Sequence, residues 1–193
     1  FHSTAPSSEG ADFDNNLVCL YILTLMRQLY NTYRKEPHMK VCVYAIAKNE
    51  SKFVKRWMES MREADYVAVL DTGSDDDTVE LLRQEGAIVR QTIVSPWRFD
   101  VARNLSMELI PPDTDICVCT DLDEVFEPNW RKKLESAWQP DTSSARYRYT
   151  WNFNPDGSEG TVFMIEKTHK YGDFKWVNPV HEVLKYYGDT PRK

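Results

Sequence analysis

Glycine is scarce in this chain, at 7 of 193 residues. None falls in "AKNESKFVKR" (47–56), which follows the first apolar run, so a glycine-rich phosphate loop at that point is excluded. No apolar stretch is long enough to cross a bilayer. "LVCLYILTLM" (17–26) has about half the length required and reads as a short core or interface helix running into "RQLYNTYRKE". No stretch reads as a signal peptide. Positive charge is in deficit, with 24 Lys and Arg against 30 Asp and Glu. The resulting net charge of −6 argues against nucleic acid or an anionic membrane surface as the main partner. Cysteine is limited to Cys19, Cys42, Cys117 and Cys119, without zinc-knuckle spacing. Cys117 and Cys119 lie two apart on one strand and do not readily close a disulfide. Reduced core thiols and a cytoplasmic setting are therefore expected.

What is present is an ordinary globular balance, 41% hydrophobic and 28% charged, long enough for one well-buried core. Residues 1–12 are small and polar and read as a disordered lead. The segment 1–38 fits poorly with the pattern of the remaining chain, so the working domain is expected to begin at Met39, with 1–38 appended or displaced. From there strands and helices alternate. "KVCVYAIAK" (40–48) reads as a buried strand, and "YVAVLD" (66–71), "AIVRQTIV" (87–94) and "DICVCTDLD" (115–123) as the second, third and fourth strands. "ESKFVKRWMESMRE" (50–63), "SDDDTVELLRQEG" (74–86) and "RFDVARNLSMELI" (98–110) read as helices. The second has Ser74 or Asp75 as cap and stops at Gly86. The third is stopped by Pro111 and Pro112. Such alternation predicts an α/β fold, a mostly parallel sheet with helices on both faces. Past Trp130, "SARYRYTWNF" (144–153) and "TVFMIEKTH" (161–169) flank the turn signal "NPDGSEG", predicting a smaller antiparallel β-rich part.

Ligands of such sheets lie at the carboxyl ends of the strands, where Asp71 and the "DLDE" cluster fall. In an extended chain Asp121 and Asp123 share a face while Leu122 turns to the core. Two adjacent carboxylates suit Mg²⁺ or Mn²⁺, which keep open positions for phosphate oxygens. The competing account is a solvated acidic turn. Asp71 could accept from a base or ribose, next to the free amides of a helix start.

"AIAKNES", "VLDTGSDDDT", "FDVARN" and "CTDLDE", in that order and with a later "VHE", make residues 40–187 resemble family-two glycosyltransferases of GT-A fold. The resemblance implies an inverting glycosyltransferase with a nucleotide-diphospho-sugar donor, most often a UDP-sugar, and an unidentified acceptor. Ala45, Ala47, Asn49, Glu50 and Asp71 would border base and ribose. Asp100, Arg103, Asn104 and Leu122 would adjoin the diphosphate or sugar. Asp121, Asp123 and His181 would hold the Mn²⁺ or Mg²⁺ ion. Glu182, and after it Glu124, is the candidate base. Blander roles stay open: an Arg103–Asp100 surface pair, a solvated Glu50, a structural His181. Most of the aromatics read as core, with Trp151 and Trp176 as candidates to stack an acceptor sugar. Relatives commonly run on past the position of Lys193, which leaves room for a further acceptor-binding element. A nucleotidyltransferase would want the missing glycine-rich loop, and a non-catalytic nucleotide-sugar-binding module would have no need of intact Asp71, Asp121 and Asp123.

Overall fold

The computed structural model describes residues 25–26, 38–189 and 191. The chain divides into two units, 1–38 and 39–193. Of the first, only Leu25 and Met26, both helical, and His38 are described, so most of the helix expected from residue 17, and Cys19, fall outside.

The second unit is the expected mixed α/β body. Four parallel strands, β1 (Val41–Ala47), β2 (Tyr66–Asp71), β3 (Ile88–Gln91) and β4 (Ile116–Cys119), are interleaved with three helices. These are α1 (Ser51–Met61), α2 (Thr78–Gln84) and α3 (Phe99–Met107). A fourth helix, α4 (Trp130–Ala137), precedes the long antiparallel pair β5 (Ser144–Thr150) and β6 (Val162–Lys170). The six strands form one sheet in the order β3-β2-β1-β4-β6-β5. A separate hairpin joins β7 (Phe174–Val177) to β8 (Val183–Tyr186).

Burial of both sheet faces follows from alternation along β1. Val41, Val43, Ala45 and Ala47 enter one cluster with Trp57, Met61, Leu82 and Trp130. Cys42 and Tyr44 enter the other with Cys117, Cys119, Phe174 and Trp176. A central parallel strand is therefore apolar at every position. Cys42, Cys117 and Cys119 are free and buried, as expected of core thiols. Among the described residues no helix is long and apolar enough to cross a membrane.

Two of the sequence expectations change. β4 ends at Cys119, not Asp123, because the chain turns and the Glu124 amide donates to the Asp121 carbonyl (3.1 Å). The cap of α2 is Asp77, since the Ser74 hydroxyl is turned to Asp71. Helix α4 and the β7–β8 hairpin had no sequence counterpart.

A buried polar relay ties the hairpin to the sheet. Trp176 Nε1–H donates to the Tyr44 hydroxyl (2.9 Å), which donates to His169 Nε2 (2.9 Å). His169 Nδ1 faces the Lys170 carbonyl at 2.9 Å, and a carbonyl only accepts, so Nδ1 carries the proton and the ring is neutral. Burial pushes the His169 imidazole down to about 4. The unfolded chain takes up this proton from about pH 6.5, while the folded one resists until near 4. The stabilising effect is thus complete above about pH 6.5 and is lost as pH falls toward 4. Across that window unfolding free energy should drop by up to about 3 kcal/mol. His169→Gln should flatten the pH dependence of the urea midpoint between about pH 7 and 4.5. An unchanged slope would show that His169 is not the titrating group.

Candidate active site

The carboxyl edge of the sheet is built from four loops. Those after β1 and β2 are laced together. Asn49, at φ 58°, donates its amide to Ser74 Oγ (2.8 Å) and accepts the Asp75 amide on Oδ1 (2.9 Å). The Glu50 amide donates to Thr78 Oγ1 (2.8 Å), and the Ser51 amide to Asp76 Oδ2 (3.2 Å). Donors from Thr78 and Ser51 hold the Asp76 carboxyl down at about 2. Asp71 organises this loop from beneath. Its Oδ1 accepts the Gly73 and Ser74 amides (both 3.1 Å) and its Oδ2 the Ser74 hydroxyl. Gly73, at φ 109°, takes a left-handed turn that a side chain would strain, and an added Cβ would meet Ile93 at 2.6 Å.

Helix α3 supplies the centre. Arg103 is 4% exposed and reaches both remaining loops. Its Nη2 donates to Asp121 Oδ1 (2.6 Å), its Nε to Glu182 Oε1 (3.2 Å), and its guanidinium lies 5.6 Å from the Trp176 ring. The α3 start is tied to the same loop, the Phe99 amide donating to the Pro179 carbonyl (3.0 Å). Asn178 (φ 80°) and His181 (φ 56°) both sit in the left-handed region, a strained backbone that these anchors hold in place.

Below the Asp121–Glu124 turn lies Lys167 of β6. Its Nζ donates to Asp121 Oδ2 (2.8 Å) and Glu124 Oε1 (2.7 Å). Burial alone would raise the Asp121 carboxyl, but Arg103 and Lys167 together hold it down at about 2. Burial raises Glu124 in spite of Lys167. Burial would lower the Lys167 ammonium, yet Asp121 and Glu124 raise it. At the rim, burial and then Asp123 raise the Glu50 carboxyl.

The structure gathers Asp121, Glu124, Arg103 and Glu182 and sets other expected residues aside. Asp71 has no exposed surface and is spent on its own loop, so it offers no direct contact to a nucleoside. Ala45, Ala47 and Leu122 are core side chains (0%, 3% and 2% exposed). Asp100 pairs with Arg98 (2.7 and 3.0 Å), not with Arg103, and this pairing lowers its carboxyl. Asn104 exchanges two hydrogen bonds with the Trp176 backbone (2.9 Å each) and so docks β7 on α3. Trp176 is 5% exposed with its indole N–H spent on Tyr44, which corrects its reading as a sugar platform. Trp151, at 68% exposed, keeps an open ring. Asn49, Asp123 and His181 are exposed, and Glu50 is half-buried. Lys167 was not foreseen. Its one signal is a lysine two residues before the buried His169, on the same face of an interior strand.

The donors here are oxygens suited to a hard divalent ion. Glu124 Oε2 is buried and in no well-formed hydrogen bond. Asp123 is exposed, whereas both oxygens of Asp121 are already held. Among the described residues no three His, Cys, Asp or Glu form a ready-made cage. The set fits an ion held by one or two protein groups and completed by substrate phosphates.

Removing one partner of a buried ion pair strands the other charge. Arg103→Met should therefore cost about 3–5 kcal/mol of unfolding free energy in urea titrations, and Arg103→Lys less. Loss of under about 1 kcal/mol in the methionine variant would mean that Arg103 does not hold the loops together.

A family model described as glycosyl transferase family 2 matches residues 42–183. No curated protein matches this chain. Among solved structures, TarS of S. aureus is 21% identical over 51% of this chain and 19% of its own, with TM-score 0.44. Glucosyl-3-phosphoglycerate synthase from Mycobacterium tuberculosis, in complex with Mn²⁺, UDP and glucosyl-3-phosphoglycerate, is 23% identical over 55% of this chain and 43% of its own, with TM-score 0.47. The same enzyme with Mn²⁺ and UDP-glucose aligns at 23% identity, 55% and 42% coverage, and TM-score 0.46. The present chain thus spans less than half the length of these proteins. With the family match running from β1 to β8 through every loop of the carboxyl edge, the chain belongs to glycosyltransferase family 2.

Proposed function

We propose that the chain catalyses inverting transfer of a sugar from a nucleotide-diphospho-sugar, with UDP-sugars as the first donors to test, to an acceptor hydroxyl. The observation that carries this reading is Arg103, which joins the acidic turn after β4 to the loop bearing His181 and Glu182 at one sheet edge. Base and ribose would rest on the rim formed by Asn49, Glu50 and the 72–77 loop, with Asp71 stiffening that rim from below. Asp123 and His181 would hold Mn²⁺ or Mg²⁺, with Asp121 behind them. When bound, such an ion offsets the charge that collects on a departing diphosphate.

Glu182 is the better-placed base. Its side chain is 16% exposed and oriented through Oε1 by Arg103, which leaves Oε2 for an acceptor proton. Glu124, with a 4% exposed side chain held by Lys167, is closed to an acceptor. In the transfer, the acceptor oxygen bonds the anomeric carbon as the bond from that carbon to the diphosphate oxygen breaks. The acceptor's proton passes to Glu182 Oε2 and the bonding pair leaves with the nucleotide. A base so placed contributes about 10²–10⁴-fold. Trp151 offers its open face to an acceptor ring.

The test is a panel of UDP-, GDP- and dTDP-sugars with Mn²⁺ or EDTA, read as released nucleotide. One donor should be turned over, with loss in EDTA and in Asp123→Ala. Glu182→Gln should lower kcat by about 10²-fold or more while nucleotide affinity holds. Turnover indifferent to EDTA would refute the metal assignment, and full activity in Glu182→Gln would refute the base.

A further inference from the structure

Lys167 sits where a cation between two carboxylates belongs. Its side chain is 13% exposed, and its Nζ lies 2.8 Å from Asp121 Oδ2 and 2.7 Å from Glu124 Oε1. Arg103 holds the other Asp121 oxygen at 2.6 Å, so this carboxylate has none to give. Glu124 presents the complementary anomaly. Its side chain is 4% exposed, yet Oε2 is in no well-formed hydrogen bond, with the Lys167 ammonium shared at Oε1 and the Tyr149 hydroxyl, which burial and then this carboxylate raise, close beside. The strand that carries Lys167 is pinned, the next residue, Thr168, being paired with Val118 of β4 on one side and Ala145 of β5 on the other. Its backbone is fixed in the middle of the sheet and only the side chain could yield.

Resting on the metal-dependent reading above, we propose that Lys167 is an internal counter-cation that competes with the divalent ion for Asp121 and Glu124. The site then takes the ion together with a nucleotide diphosphate and takes it poorly alone. An ammonium and a divalent ion cannot both occupy the space between these carboxylates. With Lys167 in place, an arriving ion finds Asp123 and His181 at the exposed rim and lacks further protein ligands. Phosphate oxygens supply them, so each ligand strengthens the binding of the other. A lysine serving only to hold the turn would leave the ion's affinity unlinked to its charge.

The deciding measurement is Mn²⁺ binding to the full chain, followed by the electron paramagnetic resonance signal of free Mn²⁺, with and without UDP. Wild type should bind Mn²⁺ alone weakly and about tenfold more tightly with UDP. Lys167→Gln should bind Mn²⁺ alone about tenfold more tightly than wild type and gain less from UDP. Lys167→Arg, which keeps the charge, should follow wild type. Equal affinity for Mn²⁺ alone in wild type and Lys167→Gln overturns the proposal, as does tight binding to wild type that UDP leaves unchanged. Mn²⁺ binding by Lys167→Gln, with none by wild type even with UDP, supports the competition and removes the metal-dependent reading of transfer. If Lys167→Gln fails to fold, Lys167→Met, which removes the charge and keeps both carboxylates, carries the same comparison. Tighter Mn²⁺ binding than wild type supports the proposal and no gain overturns it.

Discussion

The geometry of the carboxyl edge depends on one buried guanidinium. Arg103 is planar, permanently charged and rich in donors, so one side chain can serve two carboxylates in different directions. It serves Asp121, which follows β4, and Glu182, which precedes β8. These loops are far apart in the chain and have no backbone ladder in common. Charge and shape at α3 bring them to one place, and the low-dielectric surroundings make the arrangement intolerant of a missing partner.

Around this pivot the edge is stiffened by bonds between loops as well as within them. Asn49, Glu50 and Ser51 of the β1 exit exchange hydrogen bonds with Ser74, Asp75, Asp76 and Thr78 of the β2 exit. Asn104 does the same between α3 and β7. Two residues of the 178–182 loop accept left-handed backbone as a result. A site for a flexible, charged donor is thereby framed before any ligand arrives, so less ordering remains to be done on binding.

Much of the fold was legible because a central parallel strand is apolar throughout, and β1, β2 and β4 all have this character. The end of β4 misled because "TDLD" alternates polar and apolar residues as a strand does, although the chain has already turned there. Helix α4 was hidden because only Trp130 and Arg131 of its eight residues are buried, which leaves a faint periodic signal. At the site, acidic clusters on strand ends were visible, but their partners were not. Arg103 stands 18 residues from Asp121 and 79 from Glu182, and Lys167 stands 46 from Asp121. No local pattern encodes contacts at those separations. Trp176 misled for a related reason: an aromatic in a motif-bearing segment looks like a platform until its neighbours are known.

Among the described residues the strand order leaves β5 as an outer strand of the six-stranded sheet, with one side turned away from β6. Past the end of β5 the chain carries exposed apolar groups, Trp151 and Phe153, and Met164 of the neighbouring β6 is exposed as well. Such a border would ordinarily recruit a strand from another molecule. Arg146 and Arg148, with side chains 67% and 56% exposed, place positive charge along it. Both arginines are paired with glutamates of the same hairpin, Glu166 and Glu159, so a strand laid along this border would have to fit around two ion pairs.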